Sequence, residues 1–360
     1  MAYGIIMAGG FGKRLWPESN INHPKQFLAI KGGESLLLLT YKRCVNLFGK
    51  ENVYIVTRRE LVEKTLSHIP GLSSEKIIKE PEGRDTAPCI GFATVYIKKQ
   101  KREDTPLVFL PSDHLIENDQ KFNKTIKVAI KLAEKGHLVT VGIKPTRAET
   151  GYGYIKVGEK IEELDGISCY KLERFTEKPS HKKAKSFLES GDFLWNAGMF
   201  AWRPGVILEE IKTHLPLLYE GIKKIEDALG TSGEEEVIEK VYPQLPKISI
   251  DYAVMEKTKK AAVIPAEFVW DDIGEWQALF RIFPKDEKGN IVRGIVKEIE
   301  TGNCILINKE KKILGVIGVS NLIVVNSEKG TLILNRESSG RMKEFVDEIL
   351  KDEKLKKYVE

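Results

Sequence analysis

Along roughly the first 150 residues, short apolar runs alternate with longer stretches in which apolar positions recur every three or four residues. The runs predict strands at 3–7, 53–57, 76–79, 107–110 and 137–143, and the stretches predict helices at 36–48, 86–100 and 122–135. A period of about 3.6 gathers apolar side chains on one helix face, whereas a short continuous run suits a strand covered on both sides. Asp85 or Thr86 caps the helix beginning at 86, and Pro88 falls in its first turn, where a missing N–H is tolerated. Alternation of this kind predicts an α/β fold, a mostly parallel sheet with helices on both faces.

From 144 to 285 the periodicity weakens into loops rich in Gly, Pro and aromatics, with a strand-like run at 261–269. Beyond about 290 the pattern changes again. IVRGIVKEI, CILINKEKKILGVIGV, NLIVVN and TLILN are short β-like runs divided by Gly, Asn and charged turns. They predict a small all-β domain at 286–335 with a loose short repeat whose period the sequence does not fix. The tail, 336–360, returns to helix, with Met342, Phe345, Val346, Ile349 and Leu350 on one face.

Composition narrows the function classes. The 360 residues are 42% hydrophobic, enough for a large core and more than one domain. The 57 basic and 52 acidic residues are interspersed, and a net charge of +5 spread this way is no nucleic-acid footprint. No run reaches the roughly 18 apolar residues of a membrane span, and the N-terminus lacks the pattern of a signal peptide. Cys44, Cys89, Cys169 and Cys304 have no metal-knuckle spacing. They read as reduced, mostly buried thiols of a cytoplasmic protein.

The strongest local feature follows the first strand: Ala8-Gly9-Gly10-Phe11-Gly12-Lys13-Arg14-Leu15-Trp16-Pro17. Glycines at a strand end let backbone N–H groups converge on a phosphate, and Lys13, Arg14 and the nearby Lys25 add charge. Arg14 stands where a Walker A loop needs Ser or Thr, and the third glycine of a dinucleotide fingerprint is missing. The loop is therefore neither of those.

This loop, with Pro24-Lys25-Gln26-Phe27 after it, resembles the signature of the sugar-nucleotide pyrophosphorylases. The Trp16-Pro17 and Lys25-Gln26-Phe27 spellings are most similar to the bacterial mannose-1-phosphate guanylyltransferase branch. The resemblance continues in order through 81–88, 111–114, 151–154, 175–179, 195–200, 249–257 and 270–276, about the first 285 residues. It implies a Rossmann-like, GT-A-like nucleotidyltransferase domain at 1–285, followed by a small left-handed β-helix-like domain. The reaction implied is transfer of GMP from GTP to mannose 1-phosphate, giving GDP-mannose and pyrophosphate with the help of Mg²⁺.

The site residues follow from the same resemblance. Asp113, just past a strand, and Asp272, in Trp270-Asp271-Asp272-Ile273-Gly274, become the metal ligands, since a hard divalent cation takes one or two carboxylates and completes its shell with phosphate and water. An Asp113→Asn change is expected to collapse turnover while barely moving the melting temperature. Ala8, Gly9, Gly10, Gly12, Lys13 and Ser112 line the nucleotide, Arg14 and the loop amides hold the leaving pyrophosphate, and Lys25 meets the α-phosphate. Glu80, with Glu82 second, is the candidate for guanine, whose adjacent N1–H and N2–H donors suit a carboxylate. Asp85 and Thr86 supply a helix start and polar contacts. Tyr152 and Gly153 resemble the sugar-contact loop; Glu177 and Asn196 are assigned to sugar hydroxyls, Gly198 to close approach and Lys178 to the incoming phosphate. Asp251 adds a further acid to the sugar-phosphate set without a fixed task there, and Asp271 is read as a neighbour of Asp272 or a structural carboxylate. His114 supports Asp113.

Two other readings compete. One changes only the substrates, to UTP, ATP or dTTP with glucose 1-phosphate. The other is a non-catalytic sensor of nucleotide-sugars, against which stand Arg14, Lys25, Asp113, Lys178 and Asp272. Apolar runs such as 313–319 predict packing against a second copy and hence a homodimer. The chain is too short for the cupin-type phosphomannose isomerase domain of some relatives, so no isomerase activity is expected.

Overall fold

Nine strands form one mixed sheet: β1 (Tyr3–Met7), β2 (Val53–Arg58), β3 (Ile77–Glu80), β4 (Leu107–Pro111), β5 (Leu138–Ile143), β6 (Tyr154–Leu164), β7 (Ile167–Thr176), β8 (Phe193–Trp202) and β9 (Ala261–Pro265). Their order is β3-β2-β1-β4-β8-β5-β9-β7-β6. Strands β3, β2, β1 and β4 run parallel, as do β5 and β9, while β8 is antiparallel to β4 and β5. The parallel strands are buried along nearly their whole length, which is why they read as unbroken apolar runs. The helix Thr86–Lys101 places Ile90, Phe92, Ala93, Val95 and Ile97 in one core with Ile5, Val56 and Phe109 of the sheet. Each large apolar side chain among them contributes about 1.5–3 kcal/mol on burial.

The computed structural model describes residues 1–10, 12–101 and 104–360; Phe11 of the glycine loop lies outside the described residues. The chain divides into two compact units. The sheet belongs to the first, made of Met1–Gly9, Leu39–Ser112 and Ile116–Trp270. The second comprises Gly10–Leu38, Asp113–Leu115 and Asp271–Glu360. Three of the five passages between units, at Gly9-Gly10, Ser112-Asp113 and Trp270-Asp271, fall inside motifs.

Two expectations need correction. The middle of the chain is more regular than its periodicity suggests. It holds the β6–β7 hairpin and the helices His181–Ser190, Pro204–His214, Pro216–Ala228 and Glu234–Val241. The hairpin strands alternate poorly because many of their positions are only half-buried. Its turn was nevertheless written in the sequence: Asp165 and Gly166 both take positive φ, 51° and 73°, as an Asp-Gly type I′ turn requires. The run at 261–269 is not one strand. β9 stops at Pro265, whose ring removes a ladder donor, and a separate strand, Val269–Asp271, leads into Asp272.

The second unit carries the all-β region. Strands β10 (Ile291–Arg293), β12 (Ile305–Asn308) and β14 (Leu322–Ser327) stack in parallel, and β11 (Val296–Ile299) stacks in parallel on β13 (Leu314–Ile317). β15 (Gly330–Asn335) returns antiparallel to β14. These are coils of a β-helix. Ile291, Ile305 and Ile323 stack inside it, in one cluster with Trp16, Leu28, Trp276, Met342 and Val346. At one corner Asn326 Nδ2 donates to Asn308 Oδ1 at 2.9 Å, and Asn308 Nδ2 donates to the Ile295 and Lys312 carbonyls. The terminal helix Met342–Lys351 buries Met342 and Val346, as its apolar face predicts, and Phe345 lies against Trp16 with ring centroids 5.5 Å apart. Among the described residues no helix is long and apolar enough to cross a membrane.

Candidate active site

In the second unit, the glycine loop runs into a short 3-10 turn, Lys13–Leu15, and Lys25 begins another, Lys25–Phe27. Gly12 sits at φ +58°, and a Cβ there would stand 2.5 Å from the Lys25 backbone nitrogen. Only glycine satisfies both demands, so Gly12 fixes where Lys25 emerges. The Lys25 side chain, 8% exposed, pairs with Asp113 at 2.7 Å and donates to the Asp272 main-chain carbonyl. One ammonium therefore ties both candidate metal-ligand segments together. Asp272 Oδ1 accepts from the Gly274 N–H at 3.0 Å. A side chain at 274 would strike Asp272 Oδ2 at 2.7 Å and come within 3.3 Å of Arg14 Nη2, so Arg14 and Asp272 share that space. Lys13 lies 3.8 Å from Asp347 of the terminal helix.

Burial alone would raise the Asp113 carboxyl, but Lys25, His114 and Arg14 outweigh it and hold the group below the ordinary carboxylate range. His114 is pushed down by burial, against the pull of Asp113. Its Nε2 is 3.8 Å from Asp113. Asp271 points elsewhere: Oδ1 accepts from the Ile273 N–H at 2.8 Å, and Arg281 grips the carboxylate at 2.9–3.2 Å. Ile273 is held at φ +46°, an unusual conformation for a β-branched residue, immediately after Asp272.

The candidate base-reading residues lie in the first unit. Glu80 ends β3 and is 2% exposed. The Tyr242 hydroxyl donates to its Oε1, and a Cβ on Gly9 would stand 2.8 Å from its Oε2. Glycine at 9 thus makes room for a buried carboxylate. Burial pushes Glu80 up to about 7, opposed by the bonds from Tyr242 and Cys89 and by the charge of Arg58. Ala8 donates to Val56 O at 2.8 Å, and Ser112 donates to Met7 O at 3.1 Å, so both are pinned at strand ends. Asp85 takes φ +69° and accepts from the Thr86 N–H at 2.7 Å, while Thr86 Oγ1 accepts from the Ile250 N–H at 2.8 Å. Sequence reading missed Tyr242, which stands 162 positions from Glu80 with no motif to mark it.

The candidate sugar residues also gather in the first unit. Tyr152 packs edge-on against Trp195 and Trp270, each 5.2 Å away between ring centroids, and its hydroxyl accepts from Arg147. Gly153 O accepts from the Asn196 N–H at 2.8 Å, and Tyr152 O accepts from the Lys178 N–H at 3.2 Å. Lys178, at φ +45°, pairs with Glu177 at 3.0 Å. Asn196 Nδ2 donates to Asp251 Oδ1 at 2.9 Å. Burial, then the Glu177 charge, pushes Asp251 up to about 7.

The chain thus contains a glycine loop with basic residues, two aspartates beside them, a mixed sheet with helices, and a β-helix. That is the layout of a nucleotidyltransferase, and a nucleotidyl transferase family model matches residues 3–289. A MannoseP isomerase/GMP-like β-helix domain model matches residues 292–349. The chain is 38% identical to a mannose-1-phosphate guanylyltransferase of Klebsiella pneumoniae over 99% of its own length and 76% of the relative's. It is 39% identical to one of Salmonella montevideo over 96% and 73%. A solved structure from Thermus thermophilus, described as a "mannose-1-phosphate geranyltransferase", superposes with a TM-score of 0.84 at 34% identity, covering 97% of this chain and 99% of that one. The chain belongs to the mannose-1-phosphate guanylyltransferase family of nucleotidyl transferases.

Proposed function

We propose that the protein transfers GMP from GTP to mannose 1-phosphate, yielding GDP-mannose and pyrophosphate. A phosphate oxygen of the sugar phosphate attacks the α-phosphorus; the bond from that phosphorus to the oxygen bridging it to the β-phosphate breaks, and pyrophosphate leaves with the electron pair. The nucleophile is already an anion, so no general base is needed. The work is positioning and charge stabilisation. Backbone N–H groups of Gly10 and Gly12, with Lys13 and Arg14, hold the outer phosphates. Lys25 steadies charge at the α-phosphate. Glu80 accepts from guanine, with Asp85 and Thr86 beside it, and Glu177, Lys178, Asn196 and Asp251 hold the sugar phosphate.

Asp113 and Asp272 are hard oxygen donors of the kind Mg²⁺ takes, and we assign them as its protein ligands. When bound, the ion neutralises the two anions that must meet. The observation that carries the reading is Lys25 joined at once to Asp113 and to the Asp272 carbonyl, which couples the basic loop to both acids. All four cysteines are free, which supports a cytoplasmic location. Exposed Ile313 and Ile317, at 67% and 69%, support a surface for a second copy.

The test is product formation. GDP-mannose should appear by chromatography when GTP, mannose 1-phosphate and Mg²⁺ are mixed with the protein, and Asp272→Asn should lose about a thousandfold in turnover, the scale typical of removing one charge-stabilising group. Equal product without any divalent cation, or with Asp272→Asn, would sink the assignment.

A further inference from the structure

We propose that Thr140 is a positioning residue of the sugar site: its buried hydroxyl sets the orientation of the Asn196 amide, and through it presents the Asp251 carboxylate to the hydroxyls of the sugar 1-phosphate. This rests on the reading that these residues take a sugar phosphate. Thr140 lies on β5, fully buried. β8 pairs with β5 through Asn196 opposite Gly142, and again through Phe200 opposite Thr140, with a register shift between. The shift sets 196–200 of β8 against only 140–142 of β5, a bulge-like irregularity, and Gly198 within it takes φ +65°. Bulges beside active sites commonly re-aim a side chain.

Here the bulge turns the Gly198 N–H back onto the Asn196 side chain, at 3.2 Å. A backbone N–H only donates, so the amide atom it meets is the oxygen. Thr140 Oγ1 lies 2.8 Å from that oxygen and 3.2 Å from the Met199 carbonyl. Both neighbours accept, so the hydroxyl is the donor, and its single proton goes to the nearer of the two, Asn196 Oδ1. With Oδ1 held by two donors, Nδ2 can face only the other way, and there it meets Asp251 Oδ1 at 2.9 Å.

Asp251 opens a single π-helical turn, Asp251–Met255, a rare geometry frequent at functional sites. A carboxylate offers about four acceptor positions, so one bond from Asn196 orients the group without exhausting it. Glu177, Lys178 and Asp85 all lie near enough to act on it electrostatically. Asn196 thereby holds Asp251 in place besides its own part in the sugar site, and Asp251 presents its remaining acceptor positions to the sugar hydroxyls. Thr140, which no motif marks, becomes the anchor of both.

Steady-state kinetics test this with Thr140→Val, which removes the hydroxyl at nearly constant volume, and Thr140→Ser, which keeps it. Thr140→Val should raise KM for the sugar 1-phosphate about tenfold, the loss expected for one oriented hydrogen bond, and leave KM for GTP within about twofold. Thr140→Ser should return both values to near wild type. Thr140→Ala is measured beside them, so that a folding defect in one variant does not decide the outcome. In an Asp251→Asn background the Thr140→Val change should add nothing. An unchanged sugar KM in Thr140→Val and Thr140→Ala, an equal rise for GTP, or a full effect in the Asp251→Asn background would each overturn the proposal. The sugar phosphate used is whichever the wild type turns over fastest. If that is not mannose 1-phosphate, the substrate reading fails while the Thr140 test still runs.

Discussion

Glu80 shows most clearly what a residue's surroundings add to its sequence position. The sequence marks it as an acid beside a helix start; the fold encloses it between Gly9 and Tyr242 and pushes it up to about 7. Its folded pKa lies above the ordinary value of 4.5, so between those values the folded chain keeps a proton that the unfolded chain has lost. Stability from this group is therefore full below about pH 4.5, falls as pH rises toward 7 by at most ~1.4 kcal/mol per unit, and is level above. Glu80→Gln should flatten that slope in urea melts run from pH 5 to 8. The same variant should lose the preference for GTP among the four triphosphates, since an amide cannot accept from both guanine donors. Unchanged selectivity would remove Glu80 from the base site. Asp113 illustrates the reverse. Its pairing with Lys25 corrects the expectation from sequence that Asp113→Asn barely moves the melting temperature: the change strips a nearly buried ammonium of its counter-charge, so the melting temperature should fall along with turnover.

Among the elements, the turn after Val269–Asp271 gives Asp271 the role that the sequence left open. Asp271 fastens the Ile273 amide and is itself fastened by Arg281, ten positions on, so a strained turn is locked directly after Asp272. Arg281→Gln should raise the Mg²⁺ concentration needed for half-maximal turnover several-fold. An unchanged Mg²⁺ requirement would make the pair merely structural. Adjacency alone could not assign these two acids, because backbone φ decides which way each faces. The β-helix failed to show its period for a different reason. Asn308 and Asn326 stack 18 positions apart, but Asn290 and Cys304 join the first coils at a spacing of 14. A repeat of so few coils, with a shortened first one, leaves no regular signal. The strands of the parallel half were legible because burial on both faces demands unbroken apolar runs, and half-buried β6 and β7 were not.

At the scale of the molecule, several of the ordered motifs were readable because they end a strand or begin a helix, as at 8–17, 81–88, 111–114 and 175–179, where local pattern and chemistry coincide. The division into units was not readable, since Gly10–Leu38 and Asp113–Leu115 join a unit whose bulk lies after residue 270. Long-range partners such as Thr140 with Asn196, or Tyr242 with Glu80, exist only once the chain has folded. On the β-helix, Ile299 pairs in register with Ile317, and both are exposed, at 49% and 69%. An apolar ladder of this kind predicts a dimer in sedimentation velocity, and Ile317→Lys should shift the protein toward monomer. A strictly monomeric wild type would contradict that. The central claim is guanylyl transfer to mannose 1-phosphate. It is tested most directly by pyrophosphate release across a matrix of GTP, UTP, ATP and dTTP against mannose and glucose 1-phosphates. The account predicts the highest kcat/KM for GTP with mannose 1-phosphate. Preference for another triphosphate with glucose 1-phosphate, or no release with any pair, would contradict it.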